Sequence, residues 1–338
     1  MTFRKNMMTV FCAAGILALI LDSHTALSGA ASGIDLCMKT ILPSLFPFLF
    51  LCTVMTDILW DSQNALIKLI GAKTGVPPGA ESLLIAASLG GYPAGAQAVA
   101  IAYAGGKLTR QDAEHLLTFC NNAGPAFLFG IVSVQFDKGS MVWALFAIHI
   151  LAALWTGALF AGRKCSPIQL QVKHNTIPEI LSRCVKTMAA ICGWIILFRI
   201  LTEYLSRWVF QFLPELLQVI LSGALELSNG CCNLVMIENV SARFLACSCL
   251  LSFGGLCITM QTASVIGKLS IKPYLMGKLL HTVFSMILSV SYLCFGWASL
   301  IVAAACFVSV PKKTVDFQNR KVYNGAKIHE RNQVHAFS

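Results

Sequence analysis

The sequence predicts an all-α fold: a polytopic transmembrane helical protein with two structural repeats and broken or re-entrant helices. Three observations predict it. The 338 residues are 57% hydrophobic and only 12% charged, about half the charge of an ordinary soluble domain. The apolar residues gather in runs long enough to cross a bilayer. Several of those runs are interrupted by Gly, Pro and Asn where a simple span would carry Leu and Val. The first such run, about Leu83 to Ala104, contains Ser88-Leu-Gly-Gly-Tyr-Pro-Ala-Gly-Ala-Gln97. A break of this kind facing lipid would strand backbone N–H and C=O groups. It is tolerable only inside protein or beside a watery cavity, which makes it a candidate solute site.

The net charge of +10 does not form a nucleic-acid face, because the basic residues lie in the gaps between apolar runs. That placement is how topology is encoded, and it excludes a nucleic-acid partner. The 14 cysteines are scattered through apolar segments, with no C-x-x-C and one adjacent pair, Cys231-Cys232. They read as small apolar filler, with no metal or cofactor implied.

A first apolar segment covers about Met7 to Ala26, after Arg4-Lys5. It reads as a signal peptide, with Ala26-Leu27-Ser28 as a cleavage region, or as an uncleaved first helix. The helix is preferred, since polytopic proteins seldom need cleavage. A second segment, about Leu36 to Trp60, holds Leu42-Pro-Ser-Leu-Phe-Pro-Phe48, whose prolines imply an irregular start. A polar gap follows, Asp61 to Glu81. After the broken run, Thr109-Arg-Gln-Asp112 reads as a helix start with Thr109 as the cap. That helix meets a second interruption, Cys120-Asn-Asn-Ala-Gly-Pro125. An apolar half-helix then continues to about Val134, and a span covers Met141 to Ala161.

These runs divide the chain into a first membrane repeat (1–162), a basic linker (163–186), a second repeat (187–310) and a basic tail (311–338). The second repeat has runs near Ala189–Leu205, Leu213–Leu227, Phe244–Ile266 and Leu279–Val310. The last of these crosses once, strongly tilted, or twice with a tight turn. The linker contributes Arg163, Lys164, Lys173, Arg183 and Lys186 against Glu179, and the tail carries six Lys and Arg. The positive-inside rule puts N-terminus, linker and tail in the cytoplasm. That topology requires Leu83–Ala104 to return to the side it left.

The halves echo each other in order. Cys37-Met-Lys-Thr40 recurs as Cys184-Val-Lys-Thr187, and Ser88-Leu-Gly-Gly91 as Ser252-Phe-Gly-Gly255. Gln97 and Gln261 each follow the first glycine of the pair by seven residues, and Gly106-Lys-Leu-Thr109 recurs as Gly267-Lys-Leu-Ser270. Duplicated halves with paired broken helices are a transporter pattern. Gly-Gly pairs also mark close helix packing, and that alternative stays open.

Pro93 and Pro125 stand where half-helices restart. Free N–H groups behind them would favour an anion. The candidate solute-binding residues are Gly91, Tyr92, Pro93, Gly95 and Gln97 at the first break, and Asn121, Asn122, Gly124 and Pro125 at the second. From the second half come Glu226, Ser228 and Asn229, then Ser252, Gly254, Gly255 and Gln261. The asparagines serve equally well as caps on the broken backbone. Glu226, isolated among apolar residues, reads as a proton or cation carrier or as a helix end at the headgroups. Arg199 and Glu203 read as a self-neutralising i,i+4 pair, and His149 and His281 as lone packing histidines. H-E-x-x-H, G-x-S-x-G and P-loop motifs are missing, so no enzyme is expected.

Leu42-Pro-Ser-Leu-Phe-Pro-Phe, Gly91-Tyr-Pro-Ala-Gly-Ala, Phe119-Cys-Asn-Asn-Ala-Gly-Pro, Leu225-Glu-Leu-Ser-Asn-Gly and Ser252-Phe-Gly-Gly with Gln261 resemble the sporulation integral membrane proteins of the YlbJ type. These belong to the nucleoside-recognition or Gate group of membrane domains. The resemblance spans roughly residues 34 to 310. It implies a multi-pass protein of the cell membrane acting in endospore formation, with a transporter-like fold and dipicolinate as a substrate type. The Gate label does not establish nucleoside binding. Membrane lipid and a small polar or anionic solute are the expected partners. A second copy of the chain or other sporulation membrane proteins remain open, the latter through a non-transporting scaffold role.

Overall fold

The computed structural model describes residues 2–58, 64–161 and 176–309, and all regular structure in them is helical. Five helical stretches are long and apolar enough to cross a membrane: Ser23–Met55, Gly139–Phe160, Ile177–Trp208, Val240–Val265 and Lys272–Phe295. The fold is therefore an all-helical, multi-pass membrane architecture, and its helices are inside out. On α15 (Lys272–Phe295) the outward residues are Leu275, Met276, Leu279, Val283, Ile287 and Val290, whereas Lys278, His281, Ser285 and Ser289 are buried. Lipid solvates the apolar face, so polar side chains are the ones that need the protein interior.

The N-terminal segment divides at Asp22 into α1 (Thr2–Leu21) and α2 (Ser23–Leu36). The Asp22 carboxylate caps α2 by accepting from the Thr25 amide at 3.3 Å, a role no continuous helix offers it. The Tyr204 hydroxyl lies 2.9 Å from both the Ala18 and Asp22 carbonyl oxygens. Stretch 26–28, a candidate cleavage region in the sequence, is helical. Beyond it α2 lies flat on α10 (Ile177–Trp208). A Cβ on Gly29 would fall 2.8 Å from Ile200 Cα, and one on Gly33 3.0 Å from Ile196 Cα. These two glycines four apart allow the close helix contact that substitutes for hydrophobic driving force in lipid.

Residues Cys37–Ile41 form a π turn leading into α3 (Leu42–Ile58). Pro43 has no N–H and its ring crowds the carbonyl four residues back. The turn widens, and the Leu42 amide reaches back to the Cys37 carbonyl. The polar gap 61–81 is not all loop. It contains α4 (Ala65–Thr74), capped by Asn64 Oδ1 on the Leu66 amide at 2.9 Å and closed by Gly75 at φ +72°. Residues 59–63 lie outside the described part.

The first half continues with α5 (Leu83–Leu89), α6 (Ala94–Ala104), α7 (Arg110–Leu116), α8 (Pro125–Phe127) and α9 (Gly139–Phe160). Thr109 caps α7 as its sequence predicts, accepting from the Asp112 amide at 3.1 Å. After α8 the chain passes through a π turn, Leu128–Val132, and a 3-10 turn, Ser133–Gln135. Linker positions 163–175 lie outside the described residues. Thr176 and Glu179 form a capping box that opens α10, so Arg183 and Lys186 sit on that helix and not in a linker. The second half holds α11 (Glu215–Leu225), α12 (Leu227–Cys232), α13 (Val240–Phe253), α14 (Gly255–Val265), α15 and α16 (Trp297–Ser309). The run 279–310 turns at Gly296, φ +63°, and α16 packs back on α15 and α9. Tail residues 310–338 lie outside the described part.

Gly29→Val should lower the unfolding temperature in detergent by the equivalent of about 1–3 kcal/mol through overpacking against α10. Gly15→Val, where a Cβ meets nothing within 4 Å, should leave it unchanged.

Candidate functional site

The first broken run leaves helix after Leu89 and resumes at Ala94. Gly91 takes φ +73°, and the Tyr92–Pro93 peptide is cis. The second interruption runs from the end of α7 to Pro125, the first residue of α8. The two irregular segments lie backbone on backbone. A Cβ on Gly124 would fall 2.9 Å from Gly91 Cα, and one on Gly95 only 1.8 Å from the Cys120 carbonyl oxygen. Glycine is needed at these contacts because any side chain would separate the two chains.

The amides that start α6 are all satisfied. Ala94 and Gly95 donate to the Gly91 carbonyl at 2.9 and 3.4 Å, and Gln97 to the Pro93 carbonyl at 3.0 Å. Ala96 donates to Asn121 Oδ1 at 3.4 Å. Ahead of α8 the Ala123 amide donates to His149 Nε2 at 3.0 Å. The free anion-accepting amides expected behind Pro93 are thus taken up by the turn at Gly91 and by Asn121, which acts as a cap.

The second-half break is shorter. Helix α13 stops at Phe253, Gly254 and Gly255 take φ +80° and +81°, and α14 follows at once. The first Gly-Gly pair precedes and the second opens a helix of 11 residues, α6 and α14. The breaks of the two halves meet. Tyr92 lies over Gly254, whose Cβ would be 3.2 Å from the Tyr92 oxygen, and the Tyr92 hydroxyl donates to the Leu251 carbonyl at 3.0 Å. Asn121 Nδ2 donates to Thr262 Oγ1 on α14 at 2.8 Å.

At this junction stands a residue that the sequence motifs do not announce. Lys278 on α15 is 2% exposed. Its ammonium group donates to the Tyr92 oxygen at 2.8 Å and to Asn122 Oδ1 at 3.0 Å, and lies 3.4 Å from His281 Nδ1. Three neutral acceptors match its three donors. Among the described residues no carboxylate pairs with it. Asn122 is held for this contact by donating its Nδ2 to the Phe119 carbonyl at 2.6 Å.

The hydrogen bonds fix both histidine tautomers. His149 Nε2 accepts from Ala123, so its proton is on Nδ1. His281 Nε2 donates to the His149 carbonyl at 3.0 Å, which leaves Nδ1 as the acceptor facing Lys278. The two rings lie 4.6 Å apart. They are a pair at the junction and not isolated packing residues. The sequence signal was the spacing Lys278-x-x-His281 in an apolar run, which puts both on one helix face.

Other predicted residues lie elsewhere. Gln97 pairs with Thr187 of α10 at 3.0 Å. Gln261 bonds Cys257 Sγ at 3.3 Å, and its Oε1 has no partner among the described residues. Ser252 returns its hydroxyl to the Ser248 carbonyl of its own helix. Glu226 builds a second buried centre, 1% exposed, capping α12 through the Ser228 and Asn229 amides at 2.9 and 2.7 Å. Arg199 joins that centre through Asn229 Oδ1 and also bonds Ser32 Oγ at 3.1 Å. No Arg199–Glu203 ion pair forms among the described residues, because the guanidinium is turned to Asn229 of α12 and Ser32 of α2. Gly255 sits between the centres, its Cβ position 2.8 Å from the Gly223 carbonyl oxygen.

A cavity of about 420 Å³ lies away from all this chemistry, between the π turn and α10. Cys37, Met38, Leu42, Met188 and Ile196 line it, so it suits acyl chains and not a polar solute. Among the described residues no cluster of metal-binding side chains occurs.

Arg199→Met should destabilise the protein by about 1–3 kcal/mol, since it strands Asn229 and leaves Glu226 without its nearby cation. Glu203→Gln should change stability by less than about 0.5 kcal/mol. Thermal unfolding in detergent measures both.

No protein-family model matches the chain, and no solved structure matches it. A curated protein does: the sporulation integral membrane protein YlbJ of Bacillus subtilis is 25% identical over 316 aligned residues, covering 78% of this chain and 77% of that protein. With five helices long and apolar enough to cross a membrane, the chain is a multi-pass integral membrane protein similar to this sporulation membrane protein.

Proposed function

We propose that the chain is a transporter or facilitator for a small anionic metabolite in endospore formation, with a pyridine dicarboxylate such as dipicolinate as the substrate type. The observation that carries this reading is Lys278, a buried cation with no described carboxylate partner, at the point where the interrupted helices of both halves meet. Neutral acceptors satisfy its N–H donors but not its charge. A buried charge is costly until an opposite one approaches. A carboxylate entering this junction supplies that charge, in surroundings where water screens it little.

The broken helices support movement as well as binding. Helices α6 and α14 are each 11 residues long and hinged at glycine pairs. Short half-helices on such joints can tilt without unravelling a whole span. The Asn121–Thr262 contact is one hydrogen bond and the Gln97–Thr187 contact one side-chain amide meeting one hydroxyl, worth about 1 kcal/mol per bond and readily exchanged. The resemblance between the halves fits a duplicated carrier. No chemical conversion of the solute is proposed.

Purified protein in liposomes tests the reading with radiolabelled dipicolinate, succinate and uridine. Dipicolinate flux above empty liposomes is expected, with little for the uncharged nucleoside. Lys278→Met should reduce it about tenfold or more, the loss of one charge-assisted contact. Protein that keeps its helical circular dichroism yet moves none of the three would overturn transport in favour of a scaffold.

A further inference from the structure

The buried face of α15 carries more than a solute needs. Of its buried residues, only Gly277 and Leu288 lack a polar side chain; the others are Tyr274, Lys278, His281, Ser285 and Ser289. At 3.6 residues per turn these five fall within an arc of about 80°. They span about 22 Å of rise, most of a hydrocarbon core about 30 Å thick. None of the five is more than 2% exposed. The polar row continues onto α13, where Ser289 Oγ donates to Ser248 Oγ at 2.7 Å.

The Ser285 Oγ has no hydrogen-bond partner among the described residues, and the Tyr274 hydroxyl makes no well-formed bond although Thr262, Thr259 and Asn121 stand beside it. Hydroxyls in membrane helices ordinarily return to the carbonyl four residues back, as those of Ser44, Thr53, Thr156 and Thr282 do here. Ser285 does not, although the carbonyl of His281 is available to it by spacing. A buried hydroxyl free of its own helix is one that water can satisfy. Within the row, Lys278 Nζ and His281 Nδ1 face each other at 3.4 Å, one a donor and the other the unprotonated ring nitrogen.

We propose that this face of α15 is a proton pathway and that solute movement through the junction is coupled to proton movement along it. The proposal rests on the transport reading above. In the central step an N–H bond of Lys278 breaks and one forms at His281 Nδ1, giving a neutral amine and an imidazolium. The imidazolium then releases its Nε2 proton to water beside Ser285, and a half-turn of the ring brings that unprotonated nitrogen to Lys278 while Nδ1–H takes over the His149 carbonyl. Lys278 is recharged from the Tyr274 end. Protons come from and return to bulk water, and nothing is oxidised or reduced. Solute release follows the loss of the Lys278 charge.

The other titratable groups around α15 are accounted for. Helix α9 supplies His149, whose Nε2 is occupied by Ala123. The first break supplies Tyr92, bonded to Lys278 and to Leu251. Helix α7 carries Asp112, Glu114 and His115 near the start of α15, with Glu114 bonded to Arg110 and the Ser270 amide, and His115 to the Thr74 carbonyl. Helix α13 carries Arg243, bonded to the Gln135 and Ile237 carbonyls, and the thiols Cys247 and Cys249. Helix α16 carries the exposed Cys306.

The test uses full-length protein in liposomes loaded with pyranine, with the voltage clamped by valinomycin and potassium. Radiolabelled dipicolinate is followed under imposed pH differences. One-to-one coupling makes the steady-state solute ratio change about tenfold per pH unit. The wild type should do this, and Thr282→Val, whose hydroxyl bonds its own helix, should match it. Ser285→Ala should still admit dipicolinate but bring the ratio close to one at every pH difference, with no pyranine signal accompanying uptake. Wild-type uptake that ignores the pH difference and carries no proton overturns the pathway and leaves transport standing. So does a Ser285→Ala protein that accumulates solute like the wild type. Absence of wild-type uptake overturns the transport reading itself, and the coupling with it.

Discussion

Hydrocarbon offers no hydrogen bonds, so every backbone group released by a broken helix has to find a partner inside the protein. That constraint organises this molecule. The breaks at 90–93, 117–124 and 254–255 are pressed onto one another, and each is completed by its neighbour's backbone or side chain. Asn121 caps α6, His149 receives the Ala123 amide, and Tyr92 serves the Leu251 carbonyl. The contacts demand glycine. They extend to α15, where a Cβ on Gly277 would lie 1.9 Å from the Thr118 carbonyl oxygen. This close approach is what places the next residue, Lys278, among the breaks.

The breaks were legible because Gly, Pro and Asn inside an apolar run interrupt the helix that the rest of the run would form. So was the Thr109 cap, which is a local pattern. Lys278 was legible only as the neighbour of His281 on one helix face, since a lysine in a membrane chain reads first as a topology signal and its other acceptors come from residues 92 and 122. No local rule joins such distant positions. Arg199 shows the opposite error. Spacing offered Glu203 as a partner, but two glycines let α2 come close enough for Ser32 to take its place. Helix α4 was hidden because Lys68, Lys73 and a following Pro-Pro look like a loop, although Asn64 and Gly75 are ordinary start and stop signals.

Two buried polar centres flank the second Gly-Gly pair. Glu226 with Arg199 and Asn229 is internally compensated, a carboxylate facing N–H donors with a guanidinium nearby. The Lys278 centre is compensated for hydrogen bonding alone. That asymmetry separates a self-compensated joint from a centre whose charge has no described counter-ion, which is what the proposed solute site rests on. From the sequence Glu226 read as a proton or cation carrier or as a helix end at the headgroups, and its place as the cap of α12 is what the structure adds.

The end of α4 fixes a corner of the molecule. Lys73 Nζ donates to the Val308 carbonyl at 2.6 Å, and a Cβ on Gly75 would lie 3.1 Å from Ala161 Cα. The last described residues of α16 and of α9 therefore finish side by side. One short helix thus pins the ends of α9 and α16 to each other, so a change that loosens α4 is felt at both.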